Sequence, residues 1–241
     1  EIIGWEPALQ FRHNREKILI IDFGSQVTKL IARRVRELGV YSEIITPEKV
    51  YHLKDFSKIK GLILSGGPST VTKQKFQSIP KKIFTKKVPI LGICYGLQLI
   101  AKLHGGKIRS SKKKREFGRA VISQKRKSIL TKNFFKYKKT VWMSHEDAVV
   151  KLPKNFQLVA STKDSKLTII ENKKKNIYGV QFHPEVTHTE NGKQIFKNFI
   201  FSICKIKKNW SISSQKKKII KDIKKTVGKE RVICALSGGV D

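Results

Sequence analysis

The sequence predicts an α/β protein: a doubly wound, mostly parallel sheet with a β-rich addition. Three observations carry this. Short continuous apolar runs recur at Lys17–Asp22, Tyr41–Ile45, Gly61–Leu64 and Val88–Ile93, the pattern of strands buried on both faces. A segment with helical apolar spacing, Leu30, Ile31, Val35 and Leu38, follows the first run. Glycine turns close the strands, as in Phe23-Gly24-Ser25 and Ser65-Gly66-Gly67-Pro68. Alternation of this kind places a site at the carboxyl ends of the strands.

Residues 1–16 show no periodicity and read as a poorly ordered leader. After the first strand, Ser25 is a candidate helix cap and Gly39 a candidate stop. The fourth strand runs into Leu91-Gly92-Ile93-Cys94-Tyr95-Gly96-Leu97-Gln98, with a helix from Leu97 to Leu103. Glycines on both sides of Cys94 permit a sharp turn that lifts one side chain off the sheet towards a helix N-terminus. A thiol there is favoured as thiolate; a buried structural cysteine is the plainer alternative.

The middle of the chain is richer in strands: Gly118–Ser123, Thr140–Met143, Gln157–Ser161, Leu167–Glu171 and Ile177–Phe182. The last ends in His183-Pro184-Glu185. Residues i and i+2 of an extended segment face one side, so Glu185 can orient the His183 imidazole. Thiol, imidazole and carboxylate make a nucleophilic triad. By itself the tripeptide reads as a surface turn; paired with the cysteine turn it reads as a site. Glu190–Cys204 is a helix with Ile195, Phe199 and Ile203 on one stripe.

Residues 205–214 read as a polar linker. A helix capped by Ser213 or Ser214 follows, with Ile219, Ile220, Ile223 and Val227 on one face and Gly228 at its end. Arg231–Leu236 is a strand entering Ser237-Gly238-Gly239-Val240-Asp241, a candidate phosphate loop without the Walker lysine. Residues 215–241 thus read as the opening of a second α/β domain, after a first domain over 17–204.

Two further elements complete the candidate site. The N–H groups of Gly67, in the turn after the third strand, and of Tyr95, after the nucleophile, are candidate oxyanion donors. Gln98, one helical turn beyond Cys94, is a candidate pocket residue. A plain tight turn and a solvent-facing helix glutamine are the simpler readings.

Composition narrows the function. The formal net charge of the 241 residues is +34. Lysines are scattered over most segments, as in Lys112–Lys114, Lys173–Lys175 and Lys216–Lys218. A solvated surface is therefore favoured over a specific nucleic-acid site. No apolar run approaches the ~18 residues that span a bilayer. Three Cys without disulfide or metal spacing fit a reducing cytoplasmic compartment.

With these motifs assembled, the chain resembles the class I (triad) glutamine amidotransferases from about Lys17 to Asp241. The matching pieces are Ile18–Gln26, Arg33–Tyr41, Ile63–Pro68, Gly92–Gly96, Arg115–Gly118, Val141–His145 and Gly179–Thr189. Within the family it is similar to members joined to an ATP pyrophosphatase domain, which aminate XMP to GMP. The resemblance implies a flavodoxin-like core and a Cys94-His183-Glu185 triad that hydrolyses glutamine without a cofactor. It also implies glutamine contacts from Gln98, Ser144 and His145, and pyrophosphate binding by Ser237–Asp241. In the whole enzyme it implies ATP, Mg²⁺ and XMP on the second domain, and a homodimer. No metal site, membrane or specific nucleic acid is expected. Glu146 and Arg119 depart from the family pattern, which has Gly and an aromatic there. Other readings are an amidotransferase subunit serving a different synthase and a non-enzymatic basic binding protein on this fold.

Overall fold

The computed structural model describes residues 15–110, 116–135, 139–231 and 233. They form two compact units, divided between Asn209 and Trp210.

The first unit is built on a nine-stranded sheet. Its elements in chain order are β1 (Lys17–Ile21), α1 (Thr28–Glu37), β2 (Ser42–Ile45), α2 (Pro47–Tyr51), β3 (Ile59–Leu64), β4 (Ile90–Ile93), α3 (Tyr95–Leu103) and β5 (Lys107–Ser110). Then come β6 (Glu116–Gln124), β7 (Lys139–His145), β8 (Asp147–Lys151), β9 (Gln157–Ser161), β10 (Ile169–Asn172), β11 (Ile177–Val180) and α4 (Gly192–Lys197). The sheet order is β2-β1-β3-β4-β11-β10-β9-β6-β7, and β5 pairs with β8 in a separate ribbon. Pairing is parallel from β2 to β11 and antiparallel from β11 to β7. The β-rich addition therefore continues the same sheet.

Alternate side chains of the parallel strands feed two cores. Ile18 and Ile20 join Ile31, Val35, Phe196 and Phe199 on the face covered by α1 and α4. Leu19 and Ile21 join Leu97, Leu99 and Ile100 on the face covered by α3. The α3 face needs small strand residues beneath it. A Cβ on Gly92 would lie 2.5 Å from the Gly96 carbonyl carbon, and one on Gly96 would lie 2.4 Å from the Leu64 carbonyl oxygen.

Several boundaries differ from the sequence reading. Ser25 does not cap α1: the helix opens at Thr28 after Val27, and no side chain caps it. Ser25 Oγ instead accepts from the Val27 amide at 3.3 Å. The helix expected over Glu190–Cys204 begins at Gly192 and turns into a π-helix over Asn198–Ile203, where the Cys204 amide reaches the Phe199 carbonyl five residues back. Asn198 draws that wall inward by donating to the Leu130 and Lys132 carbonyls.

Residues 1–14 of the expected leader lie outside the described residues. Glu16 pairs with Lys60 at 2.9 Å and its carbonyl accepts from Asn209. Residues 205–209, expected as linker, are part of the first unit: Ile206 is buried in the core and the Asn209 side chain accepts from the Tyr41 amide.

The second unit holds α5 (Ile212–Val227). Its cap is Ser211, which accepts from the Ser214 amide at 3.2 Å, in place of Ser213 or Ser214. Gly228 ends it with φ +58°. The strand expected over Arg231–Leu236 falls mostly outside the described residues. No helix among them is long and apolar enough to cross a membrane.

Candidate active site

The turn between β4 and α3 places Cys94 in an unusual backbone conformation, φ +51° and ψ −105°. A non-glycine residue held there costs roughly 1–3 kcal/mol. The surrounding structure enforces it: the Cys94 amide donates to the Val180 carbonyl of β11 at 2.8 Å, and its own carbonyl accepts from the Gln98 amide at 3.2 Å. Cys94 is the residue directly before α3.

β11 lies beside β4 in parallel register, Val180 opposite Ile93. Both strands thus end at the same level, and the chain leaving β11 brings Gln181 and His183 to the thiol. Gln181 Nε2 is 3.8 Å from Cys94 Sγ. A Cβ built on Gly66 would sit 3.1 Å from His183 Cε1 and 3.7 Å from Cys94 Cβ, so one glycine touches both side chains. His183 Nδ1 is 2.7 Å from Glu185 Oε1, and Glu185 is fully buried. Burial pushes the His183 imidazolium down. The hydrogen bonds to Cys94 and Glu185 and their negative charges outweigh it and raise its pKa to about 10. The arrangement favours the His183 imidazolium.

Arg34 of α1 clamps the turn from behind, donating from Nε to the Glu185 carbonyl at 3.0 Å, while Glu37 holds its guanidinium. Ser65 fixes the loop after β3, accepting from the Phe23 amide and donating to the Gly66 carbonyl.

The thiol opens onto a cavity of about 510 Å³. Gly67, Tyr95, Gln98, Ser144 and His145 all line it, with Glu146 and Asp147. Gln98 Nε2 donates to the Asp147 carbonyl at 2.7 Å, and the Asp147 carboxylate takes the Thr70 hydroxyl. The Ser144 carbonyl lies 3.6 Å from Cys94 Sγ. His145 turns to Glu116, Nε2 to Oε2 3.2 Å. The Tyr95 phenol donates to the Gln77 carbonyl at 2.5 Å and burial raises its pKa to about 12. A larger cavity, about 710 Å³, opens near the amino end of β11 beside Asn176, Tyr178 and Lys173. It contains neither Cys94 nor His183 and lies at the wrong end of the strands for the chemistry.

Residues 19–203 match the family model described as glutamine amidotransferase class-I. The chain belongs to the class I glutamine amidotransferases. Two curated members are GMP synthases (glutamine-hydrolyzing). The one from Brachyspira hyodysenteriae is 49% identical over 231 residues, covering 95% of this chain and 44% of the relative. That from Fusobacterium nucleatum is 49% identical over 230 residues, 93% of this chain and 43% of the relative. The chain thus spans under half the length of these relatives. Among solved structures, a Thermoplasma acidophilum protein described as a candidate GMP synthase subunit superposes with TM-score 0.66 at 31% identity, covering 87% of this chain and 99% of that one. A Thermotoga maritima glutamine amidotransferase shares the fold, with TM-score 0.62 at 21% identity over 86% of this chain and 87% of its own.

In this domain Cys94, His183 and Glu185 stand together beside a cavity lined by Gly67, Tyr95, Gln98, Ser144 and His145. Ser237–Asp241 lie outside the described residues. Arg119 is exposed on β6 and is not among the cavity-lining residues. Thr70 and Asp147 escaped the sequence reading, and Arg34 and Gln181 stand in matching pieces without an assigned role. Only Gln181 left a usable signal, two residues before His183 on an extended segment.

Proposed function

We propose that Cys94, His183 and Glu185 hydrolyse the side-chain amide of glutamine in this domain. The observation that carries the reading is the buried His183–Glu185 pair beside a thiol held at positive φ. The Cys94 thiolate attacks the amide carbon, and the C=O electrons move onto oxygen, where the Gly67 and Tyr95 N–H groups are suited to receive them. The His183 imidazolium gives its proton to the amide nitrogen. The C–N bond breaks, ammonia leaves, and a γ-glutamyl thioester remains. Neutral His183 then takes a proton from water, whose oxygen attacks the thioester, and glutamate departs as the thiolate is restored. Glu185 orients the imidazole throughout. Gln98, Ser144 and His145 supply the walls for the amino-acid end of the substrate.

In the whole protein the ammonia would pass to an ATP pyrophosphatase domain that converts XMP to GMP. ATP and Mg²⁺ would bind there, with Ser237–Asp241 at the pyrophosphate, in a cytoplasmic homodimer. Near-half identity to two GMP synthases supports this. The test is glutamate release by the chain alone and fused to an intact ATP domain of the family, with and without XMP, ATP and Mg²⁺. Faster release with the substrates bound is expected. Equal rates in every case would refute control by the synthase partner. Absence of release in all of them, with no labelling of Cys94 by an electrophilic glutamine analogue, would refute the glutaminase itself.

A further inference from the structure

We infer that Thr189 is a positioning residue that sets His183 in register with the wall of the substrate cavity; this rests on the triad reading above. Among the described residues, β7 is the last strand of the sheet and pairs only with β6. On its outer edge every second residue therefore presents an N–H and a C=O with no strand beside them. Three residues of that edge, Thr140, Trp142 and Ser144, run past the site. The Ser144 carbonyl meets the Cys94 thiol at 3.6 Å. The Trp142 carbonyl accepts from the His183 amide at 3.0 Å, and the Thr140 carbonyl from the Glu190 amide at 3.0 Å. Thr140 N–H is taken by the Glu190 side chain at 3.2 Å. The segment 183–190 therefore covers this edge as an irregular tenth strand would.

The Trp142 N–H finds no carbonyl from this segment. It donates to Thr189 Oγ1 at 3.0 Å, and the same hydroxyl donates to the His183 carbonyl at 2.6 Å. A hydroxyl has one proton and spare lone pairs, so both bonds form together and their directions are fixed. His183 is thus held at both backbone groups, its N–H by Trp142 and its C=O by Thr189. One side chain closes the ring between the base and the strand whose next outward residue touches the nucleophile. Thr189 and His183 are buried, so water does not replace the hydroxyl without opening the turn. The hydroxyl touches neither the thiol nor the cavity; it acts through His183.

The test compares Thr189→Val, which keeps the shape and removes the hydroxyl, with Thr189→Ser, which keeps the hydroxyl. Three quantities are read on the 241-residue chain below every variant's melting point: kcat and KM for glutamine hydrolysis, and the rate of Cys94 alkylation by iodoacetamide at neutral pH. A misplacement near 1 Å at a reacting group costs on the order of 10²-fold. Thr189→Val should lose about 10- to 100-fold in kcat and comparably in alkylation, with KM within about threefold, and Thr189→Ser should recover to within about threefold of wild type. If Thr189→Val does not fold, Thr189→Ala takes its place in the same comparison. A hydroxyl-free variant that melts lower yet keeps wild-type kcat and alkylation would overturn the inference, since the hydroxyl would then be structural only. Failure of the triad reading looks different: wild type itself would release no glutamate, and Cys94 would alkylate no faster than in His183→Ala.

Discussion

Every residue of β1, β4 and β11 is buried, whereas along β6 the side chains alternate, with Phe117 60% and Val121 46% exposed. The two halves of one sheet thus meet different demands. The parallel half, sealed by helices on both faces, carries Cys94 and leads into His183, the nucleophile and base proposed above, whose geometry must not drift. The β6–β7 end of the antiparallel half has one open face, and it lines the cavity through Ser144 and His145 of β7 and the Glu146 that follows. The proposed chemistry sits where burial is complete, and the cavity wall where it is partial. Damage should therefore show as lost turnover or lost folding in the first half, and as altered KM in the second.

The largest effect expected is Cys94→Ala, which should lower glutamine hydrolysis by at least about 10³-fold with the domain still folded. His183→Ala should cost nearly as much, and the double variant no more than Cys94→Ala, because triad members act as a unit. Glu185→Gln should cost less. Rates that multiply in the double variant would show independent roles.

Gly96→Ala probes the packing of the same half. Its Cβ would meet the Leu64 carbonyl at 2.4 Å. Overpacking against backbone should destabilise by about 1–3 kcal/mol, a drop of several degrees in Tm. An unchanged Tm would mean that α3 can ride up freely and that the halves do not differ in rigidity.

A third expectation concerns pH. The His183 pKa stands at about 10, above the ~6.5 of an unfolded histidine. The stabilisation this brings is complete below pH ~6.5 and is lost as pH rises through about 10. Wild-type Tm should fall across that window more steeply than that of His183→Ala. Parallel curves would place the imidazolium elsewhere.

Smallest is Glu146→Gly, at an exposed position lining the cavity. It should shift KM by less than about tenfold with kcat and Tm nearly constant, the ordinary range for a surface change. A collapse of kcat would erase the distinction between the two halves.

The same contrast explains what the sequence disclosed. The buried parallel strands are continuous apolar runs, and β1, β3 and β4 lie within two residues of their expected limits. Their glycine turns exposed Cys94 and Gly66-Gly67. β5, reading Lys-Ile-Arg-Ser, and β8, ending in Lys151, are short, and β5 carries two charges in four residues with no run to notice. Five-residue α2 is too brief for periodicity. Caps failed because the sequence does not fix the first helical residue: Ser25 stands three residues before Thr28, and Ser211 directly before Ile212. Arg34 and Asp147 act across long sequence distances, and a single chain does not show which residues such pairs join.

The Cys94 amide is anchored on the Val180 carbonyl, and the Gln181 side chain that reaches the thiol is 87 residues away in sequence. β11 is also the last strand of this sheet to be made, and it enters between β4 and β10. Closing so long a loop carries a large entropy cost before any contact repays it, and such pairings form late. During synthesis Cys94 therefore stands on an unfinished edge until the central strand arrives. Shaping of the Cys94 turn and completion of the domain become a single folding event.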